Sequence, residues 1–533
     1  GNPVVTRWDY DASTGLLKQK VINGVAVARY DYRDDNRLAS VTDADNVTAT
    51  SSYNPQTGDL TGVTARGGGS ATSTSFDRMG RVTNSAMVGV IGESCVRALD
   101  GSILTNAISG GDVIRAARVT RTCDPNHGGL VSLGLHVDPR VECGFGVGYN
   151  DAAKVASITS GIVKVSYSYS NAAFADSTAW SVNGSDRLTR TVNWDPANDR
   201  ILSMAWSANG SNAAGFVYTY ETNSDRVAGM TLMDGAYWAY RYDTGGQLVS
   251  ARKYAADGSA LPGMQFGYEY DEIGNLVRGG ALDPTSGAPL YRFEADDFNF
   301  HTNRVWGNRV PVEGVAGEGI RVTVNGVPAQ QAGGRFSALV PVDNAAGSLQ
   351  TNLTVWAVKT NVSPQVVASA SGTLYVAQAV EPVQWKSSGV LTRDSRFAYE
   401  WNRFGQLTAA ISINASPAFK VTFDYYADGR RARKQVWEVQ GAATNLSRTH
   451  EYYYDSWNLI AEFITQNSSF IILQYLWGLD LAGQRCAAAR GDRGVCFDHL
   501  LVKRAELGLV GRQGVLRVGR GPAHRESDTD GVR

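Results

Sequence analysis

Tyr237-Trp238-Ala239-Tyr240-Arg241-Tyr242-Asp243-Thr244-Gly245-Gly246-Gln247-Leu248-Val249 decides the fold. An alternating aromatic strand runs into Asp, reaches Gly two or three residues later and leaves in an apolar strand. Side chains alternate across a strand, so Tyr240 and Tyr242 share a face. Asp bonds its own backbone and Gly takes a positive φ without steric cost, so the unit predicts a hairpin. Phe266-Gly267-Tyr268-Glu269-Tyr270-Asp271-Glu272-Ile273-Gly274-Asn275-Leu276 repeats it. So do Tyr30-Asp31-Tyr32, Phe76-Asp77-Arg78-Met79-Gly80-Arg81-Val82, Trp401-Asn402-Arg403-Phe404-Gly405-Gln406-Leu407 and Tyr454-Asp455-Ser456-Trp457-Asn458-Leu459. Anchor aromatics lie 22 residues apart from Tyr10 to Tyr32, 21 on to Tyr53 and 22 from Tyr220 to Tyr242. Self-similarity at such a period marks a repeat architecture. A lone hairpin is marginal in water, whereas stacked hairpins gain roughly 0.2–1 kcal/mol per cross-strand pair. The reading is an all-β chain: one long antiparallel sheet of hairpins with an aromatic ladder.

The aromatic-Asp-x-x-Gly-Arg/Asn-Leu unit resembles the YD repeat of bacterial rearrangement-hotspot (RHS) proteins and teneurins. Tyr453-Tyr454-Asp455-Ser456-Trp457-Asn458-Leu459-Ile460-Ala461-Glu462, followed by Tyr475-Leu476-Trp477-Gly478-Leu479-Asp480, looks like the closing part of an RHS core. The resemblance covers about 1–306 and 386–482. It implies a sheet that spirals into a hollow shell. Such a shell encloses a C-terminal polypeptide, often a toxin, or serves as an adhesive scaffold. The Asp-rich self-cleavage stretch of many such proteins does not follow Asp480, and no toxin-like domain follows either, so the resemblance supports shell structure and does not support autoproteolysis or toxicity in this chain.

Four segments are expected. Residues 1–306 form the first part of the shell, with 86–145 a degenerate stretch poor in aromatics. Residues 307–384 form an inserted small β-sandwich. Its strands include Ile320-Arg321-Val322-Thr323-Val324, which ends in the hairpin signal Asn325-Gly326, and the segment resembles immunoglobulin-like modules of bacterial surface proteins. Insertion between Trp306 and Trp385 should leave the shell closed, because both ends return to the same seam. Residues 385–482 are the second part of the shell. Residues 483–533, rich in Arg and Gly, show no hairpin pattern; they read as a disordered tail, a linker, or a stretch out of frame with the preceding repeats. The chain opens inside a repeat, at Trp8-Asp9-Tyr10-Asp11, and reads as part of a larger protein.

Composition narrows the function. Net charge is −1 and charged residues are 19%, so no electrostatic signal points to nucleic acid. No apolar run of about 18 residues suggests a membrane span. The five cysteines, Cys95, Cys123, Cys143, Cys486 and Cys496, form no CxxC, which argues against a metal site. Cys123 and Cys143 read as replacements for a repeat aromatic. His127 and His136 read as surface or turn residues. Asp9, Asp31, Asp243, Asp271 and Asp455 are assigned to turns. Gly67-Gly68-Gly69 lacks the Lys and Ser/Thr of a phosphate loop, and Gly67–Ser75 reads as a flexible connection. The basic run from Asp424 to Lys434 reads as a solvated strand face. GxSxG, HExxH and dinucleotide motifs are absent. No catalytic, cofactor-binding or metal-binding residue is therefore assigned.

The expectation is a non-enzymatic structural shell segment, secreted or on a bacterial surface, with an enclosed C-terminal polypeptide as partner. An adhesin for cell-surface glycans or proteins is the first alternative, and a polysaccharide-acting enzyme the second.

Overall fold

The computed structural model describes residues 5–65, 71–87, 91–98, 102–109, 113–138, 141–170, 174–296, 300–317, 319–359, 366–413, 418–441, 443–466, 469–477 and 499–506. Among these residues there is no helix. A 27-stranded sheet runs from Thr6–Tyr10 to His301–Val305 and closes on Val380–Pro382; a 10-stranded sheet runs from Gln384–Trp385 to His499–Glu506. Every strand pairs antiparallel with its successor, so both sheets are meanders of hairpins, as the repeat predicts.

The parent unit shows why. Asp243 N–H donates to the Gln247 carbonyl at 2.9 Å, and Gly246 N–H to the Asp243 carbonyl at 3.1 Å. The Asp243 carboxylate accepts from Gln247 N–H at 2.8 Å. Gly246 sits at φ 85°, where a side chain would be strained. Tyr242 then pairs with Leu248 across a register shift between Arg241 and Tyr242. The same shift precedes Tyr32, Tyr53, Tyr220 and Tyr270. A bulge adds twist, so one bulge per repeat curls the wall.

Each hairpin is stapled to the one before it. The Tyr242 hydroxyl donates to the Val227 carbonyl at 2.9 Å, and Val227 opens the return strand of the preceding hairpin. The same bond joins Tyr53 to Leu38, Tyr149 to Leu130, Tyr169 to Val155, Tyr220 to Ile201, Tyr270 to Leu248, Tyr425 to Leu407 and Tyr454 to Arg431. Trp401 serves Leu391 through its indole N–H at 2.6 Å. Arg97 stands at the aromatic position of its unit and serves Val82 at 3.2 Å. The residue before the acceptor is often a cation lying over the incoming ring: Arg37 on Tyr53, Lys154 on Tyr169, Arg200 on Tyr220 and Arg226 on Tyr242. A basic residue followed by Leu, Val or Ile after the turn thus receives both the face and the hydroxyl of the next aromatic.

The staple crosses the insert. Trp306 N–H donates to the Ala379 carbonyl at 2.9 Å, and Val383 N–H to the Thr302 carbonyl. The Trp385 indole then donates to the His301 carbonyl at 2.7 Å. Val380–Pro382 pairs with Asn303–Val305, so the chain rejoins the wall before the boundary expected at 384. Between these strands, a 3-stranded and a 4-stranded sheet bury Val322, Val324, Phe336, Ala338 and Val340 against one another. The intervening residues are therefore a small two-sheet sandwich hung in the loop of one hairpin.

Several sequence readings need correction. Asp9 and Asp31 lie within strands, bonded across to Gln19 and Ser40; the turns belong to Asp11 and Arg33, because the second aromatic of Tyr-Asp-Tyr is the one before the turn. Cys123 does occupy a repeat aromatic's place before the Asp124 turn, but Cys143 is mid-strand and Tyr149 holds the staple. Ala71–Phe76 is a strand, so the connection expected at Gly67–Ser75 is shorter; 66–70 lie outside the described residues. The tail reading is corrected at His499–Glu506, which extends the second sheet by pairing with Ile471–Trp477.

Removing the Tyr242 hydroxyl by Tyr242→Phe should cost about 1 kcal/mol in denaturant unfolding. Tyr10→Phe, on an exposed ring, should stay within about 0.5 kcal/mol. Equal costs would refute the staple. Replacing 308–378 by an Asn-Gly turn should leave the wall folded, with its thermal midpoint within about 5 °C; loss of the cooperative transition would show that the sandwich is integral.

Candidate functional site: the seam that closes the wall

The described contacts single out no catalytic constellation, and among the described residues no cluster of three or more His, Cys, Asp or Glu could hold a metal. The feature with most chemistry is the seam where the second sheet lies on the first. Ser387 Oγ donates to Asp45 Oδ1 at 2.6 Å across 342 residues. Arg430 Nη2 meets Glu93 Oε2 at 2.5 Å across 337. Arg121 Nη2 meets Asp455 Oδ1 at 2.6 Å across 334. Gln474 Nε2 reaches the Gly144 carbonyl at 3.1 Å across 330. Both members advance together at a nearly fixed separation, so the wall rolls like a scroll and overlaps itself after one turn.

The overlap is face to face. One apolar cluster mixes Met87, Ile91, Ile108, Val119, Leu133, Leu135, Val137, Val147 and Val165 of the first sheet with Tyr426, Tyr453, Ile460, Phe463 and Ile472 of the second. Val119, Val137, Tyr453 and Phe463 are 0% exposed. Residues 86–145, which read as a degenerate stretch, are the floor of this overlap. The described strands of this stretch bury mainly aliphatic side chains beneath the second layer. In Ala117–Cys123 the alternation survives as buried Ala117 and Val119 against exposed Arg118 and Thr120.

Polar groups complete the seam. Arg430, 6% exposed, lies over the rings of Tyr426 and Tyr454 and bonds Asp428, Glu93 and the Ser456 carbonyl. The run from Asp424 to Lys434 is thus no solvated face: Arg430 is buried and Arg433 bonds Asp424 at 2.8 Å. Burial pushes the Glu93 carboxyl above its usual range, against the pull of the Arg430 charge. Glu451 accepts from Arg115 N–H and from the Tyr453 hydroxyl. Burial also lifts the Tyr454 hydroxyl to about 12, and Tyr426 is driven far up; both stay neutral donors. On the far side of the second sheet, Glu462 accepts from Tyr475 at 2.8 Å and lies 2.6 Å from His450 Nδ1.

The weighed histidines lie away from the seam. His127 Nδ1 accepts from Gly129 N–H within its own turn, and His136 lies near Asp138 on the surface. Asp455 holds both a turn position and the Arg121 ion pair. The sequence carried no signal for Glu93, whose neighbours in the chain have no repeat pattern.

No protein-family model matches the chain, and no curated protein does. Among solved structures, the Photorhabdus luminescens Tc holotoxin pore contains a chain with TM-score 0.46 and 13% identity over 89% of this chain. The crystal structures of TcdB2-TccC3-Cdc42 and of TcdB2-TccC3 give TM-scores of 0.45 and 0.44, with 13% and 12% identity, over 89% of this chain. This chain spans about a quarter of the length of those chains, from 25% to 26%. At such scores the similarity carries no argument by itself; the RHS and YD-repeat reading rests on the repeat unit and on the hairpin wall that it builds.

Arg430→Ala should destabilise the fold by about 3–5 kcal/mol in equilibrium unfolding, because it strands Glu93 in a buried site. The double variant Arg430→Met/Glu93→Leu should recover most of that loss. A single-variant cost below about 1 kcal/mol would mean that the seam is solvated and not closed.

Proposed function

We propose that this chain is a non-enzymatic structural wall of a secreted bacterial RHS-type protein, whose closed roll shields an enclosed polypeptide from solvent and proteases. The observation that carries this reading is the roll itself: the wall returns to its own face after about 330–340 residues, judged from separations of 330 to 342. A sheet needed only as a surface scaffold has no reason to bury a seam at such separations.

The lining supports the same reading. The face that the second layer covers at 86–165 carries the repeat tyrosines elsewhere. Farther along the wall it presents Tyr218 and Tyr220, Trp238, Tyr240 and Tyr242, and Phe266, Tyr268 and Tyr270, all only partly buried. Their hydroxyls and rings offer adaptable contact area at low entropy cost, which suits an extended chain held without one fixed register. Burial raises the Tyr218 and Tyr240 hydroxyls above their ordinary value, so the lining stays uncharged at neutral pH.

The test is a disordered reporter segment carrying a protease site, fused after Arg533. Its cleavage should be at least about tenfold slower than that of the free reporter, following the population of the open form. Arg430→Ala should restore fast cleavage. A fused reporter cut as fast as the free one, with the wall still folded, would overturn enclosure.

A further inference from the structure

The sandwich does not hang free. A Cβ on Gly263 of the wall would come within 2.5 Å of the Glu313 carboxylate and 2.9 Å of the Ser337 hydroxyl, and a Cβ on Gly333 within 2.6 Å of Leu261. At these two glycines the wall and the sandwich pack closely against each other. Between them opens a cleft of about 420 Å³, within the ordinary range for small-molecule sites. Leu261, Leu282 and Leu290 of the wall face Pro311, Pro328 and Leu339 of the sandwich across it. Among the described residues that line it there is no aromatic ring on which a sugar could stack.

One carboxylate of the lining, on a water-accessible position, has no close cationic partner. Glu313 lines it, and its closest ionic partner is Arg335 at 3.7 Å, beyond hydrogen-bond distance. Asp283, also in the lining, is already engaged by Arg309 at 3.1 Å. Arg252 also lines the cleft, on an exposed position like that of Glu313. Apolar walls around a carboxylate that lacks a close donor are complementary to an ammonium group on a methylene chain.

We propose that the cleft between the wall and the inserted sandwich binds a small aliphatic amine, with Glu313 as counter-ion and Leu261, Leu282, Leu290 and Leu339 around the methylene chain. The site does not depend on enclosure of a polypeptide. Burial pushes the Glu313 carboxyl up, so binding should weaken as pH falls and the carboxylate takes its proton. The titratable and charged groups that act on Glu313 are Arg335 on the neighbouring strand and Tyr291 on the wall, and Arg252 and Asp283 share the lining.

Titration with n-hexylamine, followed by calorimetry on the whole chain, checks this. Saturable binding is expected, at least about tenfold tighter than that of n-hexanol, since the charge-assisted contact exists only for the amine. Glu313→Gln should remove that difference. Should Glu313→Gln not fold, Leu290→Lys supplies the check, because its own ammonium should fill the cleft and block the amine. Equal affinity for amine and alcohol, absence of saturation, or undiminished amine binding in either folded variant would overturn the proposal.

Discussion

The hydroxyl that an aromatic residue lends to the previous hairpin fixes everything else in this wall. A hairpin alone is marginal, and a meander of hairpins has little to set the register from one to the next. The staple supplies that register. It ties the last residue before one turn to the first residue after the turn before, so Tyr242 bonds Val227 and Tyr270 bonds Leu248. The ring reaches from its own strand to the neighbouring one to do so, and the bulge beside it provides the angle. Twist, curl and repeat length thus follow from one contact. That contact tolerates replacement of the ring when the donor survives, as Trp401 and Arg97 demonstrate.

Because each staple joins only neighbours, the wall is nearly one-dimensional in its energetics. An insertion in a hairpin loop leaves every staple intact. At the sandwich, Trp306 and Ala379 are already within hydrogen-bond distance. Glu381 accepts from the Trp306 indole at 2.6 Å and from the Ser395 hydroxyl at 2.5 Å. This buried carboxylate, with Arg304 at 3.8 Å, clamps the root of the insertion much as an uninterrupted turn would.

The repeat was legible in the sequence because its requirements are local: Asp at the cap, Gly at positive φ, an aromatic before the turn. Two things were not legible. The position of the staple within Tyr-Asp-Tyr depends on which of two like residues precedes the turn, and in Trp8-Asp9-Tyr10-Asp11 the pattern fits either frame. The role of 86–145 depends on what covers it. Val119, Leu135 and Val137 look like a decayed repeat when only neighbours in the chain are considered. They are a well-formed floor once Tyr453 and Phe463, more than 300 residues on, lie above them. Arg430 misleads for the same reason, since its partner Glu93 lies 337 residues away. The cleft at Glu313 had no signature at all, being made by the meeting of two units that are separate in sequence.

Closing such a wall is a question of magnitudes. Bringing together residues about 335 apart, rather than about 22, spans roughly four doublings of loop length, or about 2.4 kcal/mol for a flexible chain. The stapled wall is stiff and its curl is preset, so the real cost is lower. Against it stands the apolar cluster, where each fully buried Val, Leu, Ile or Phe contributes about 1.5–3 kcal/mol relative to exposure. Tyr453, Phe463, Ile460 and Ile472 alone exceed the entropic cost. The ion pairs are therefore not what holds the seam shut, since desolvating two charges offsets most of their attraction. Their effect is on placement. An aliphatic overlap tolerates sliding, whereas Arg430 between Glu93 and Asp428, and Arg121 on Asp455, are satisfied at only one alignment of the two layers. The apolar face closes the roll, and the buried charges decide where it stops.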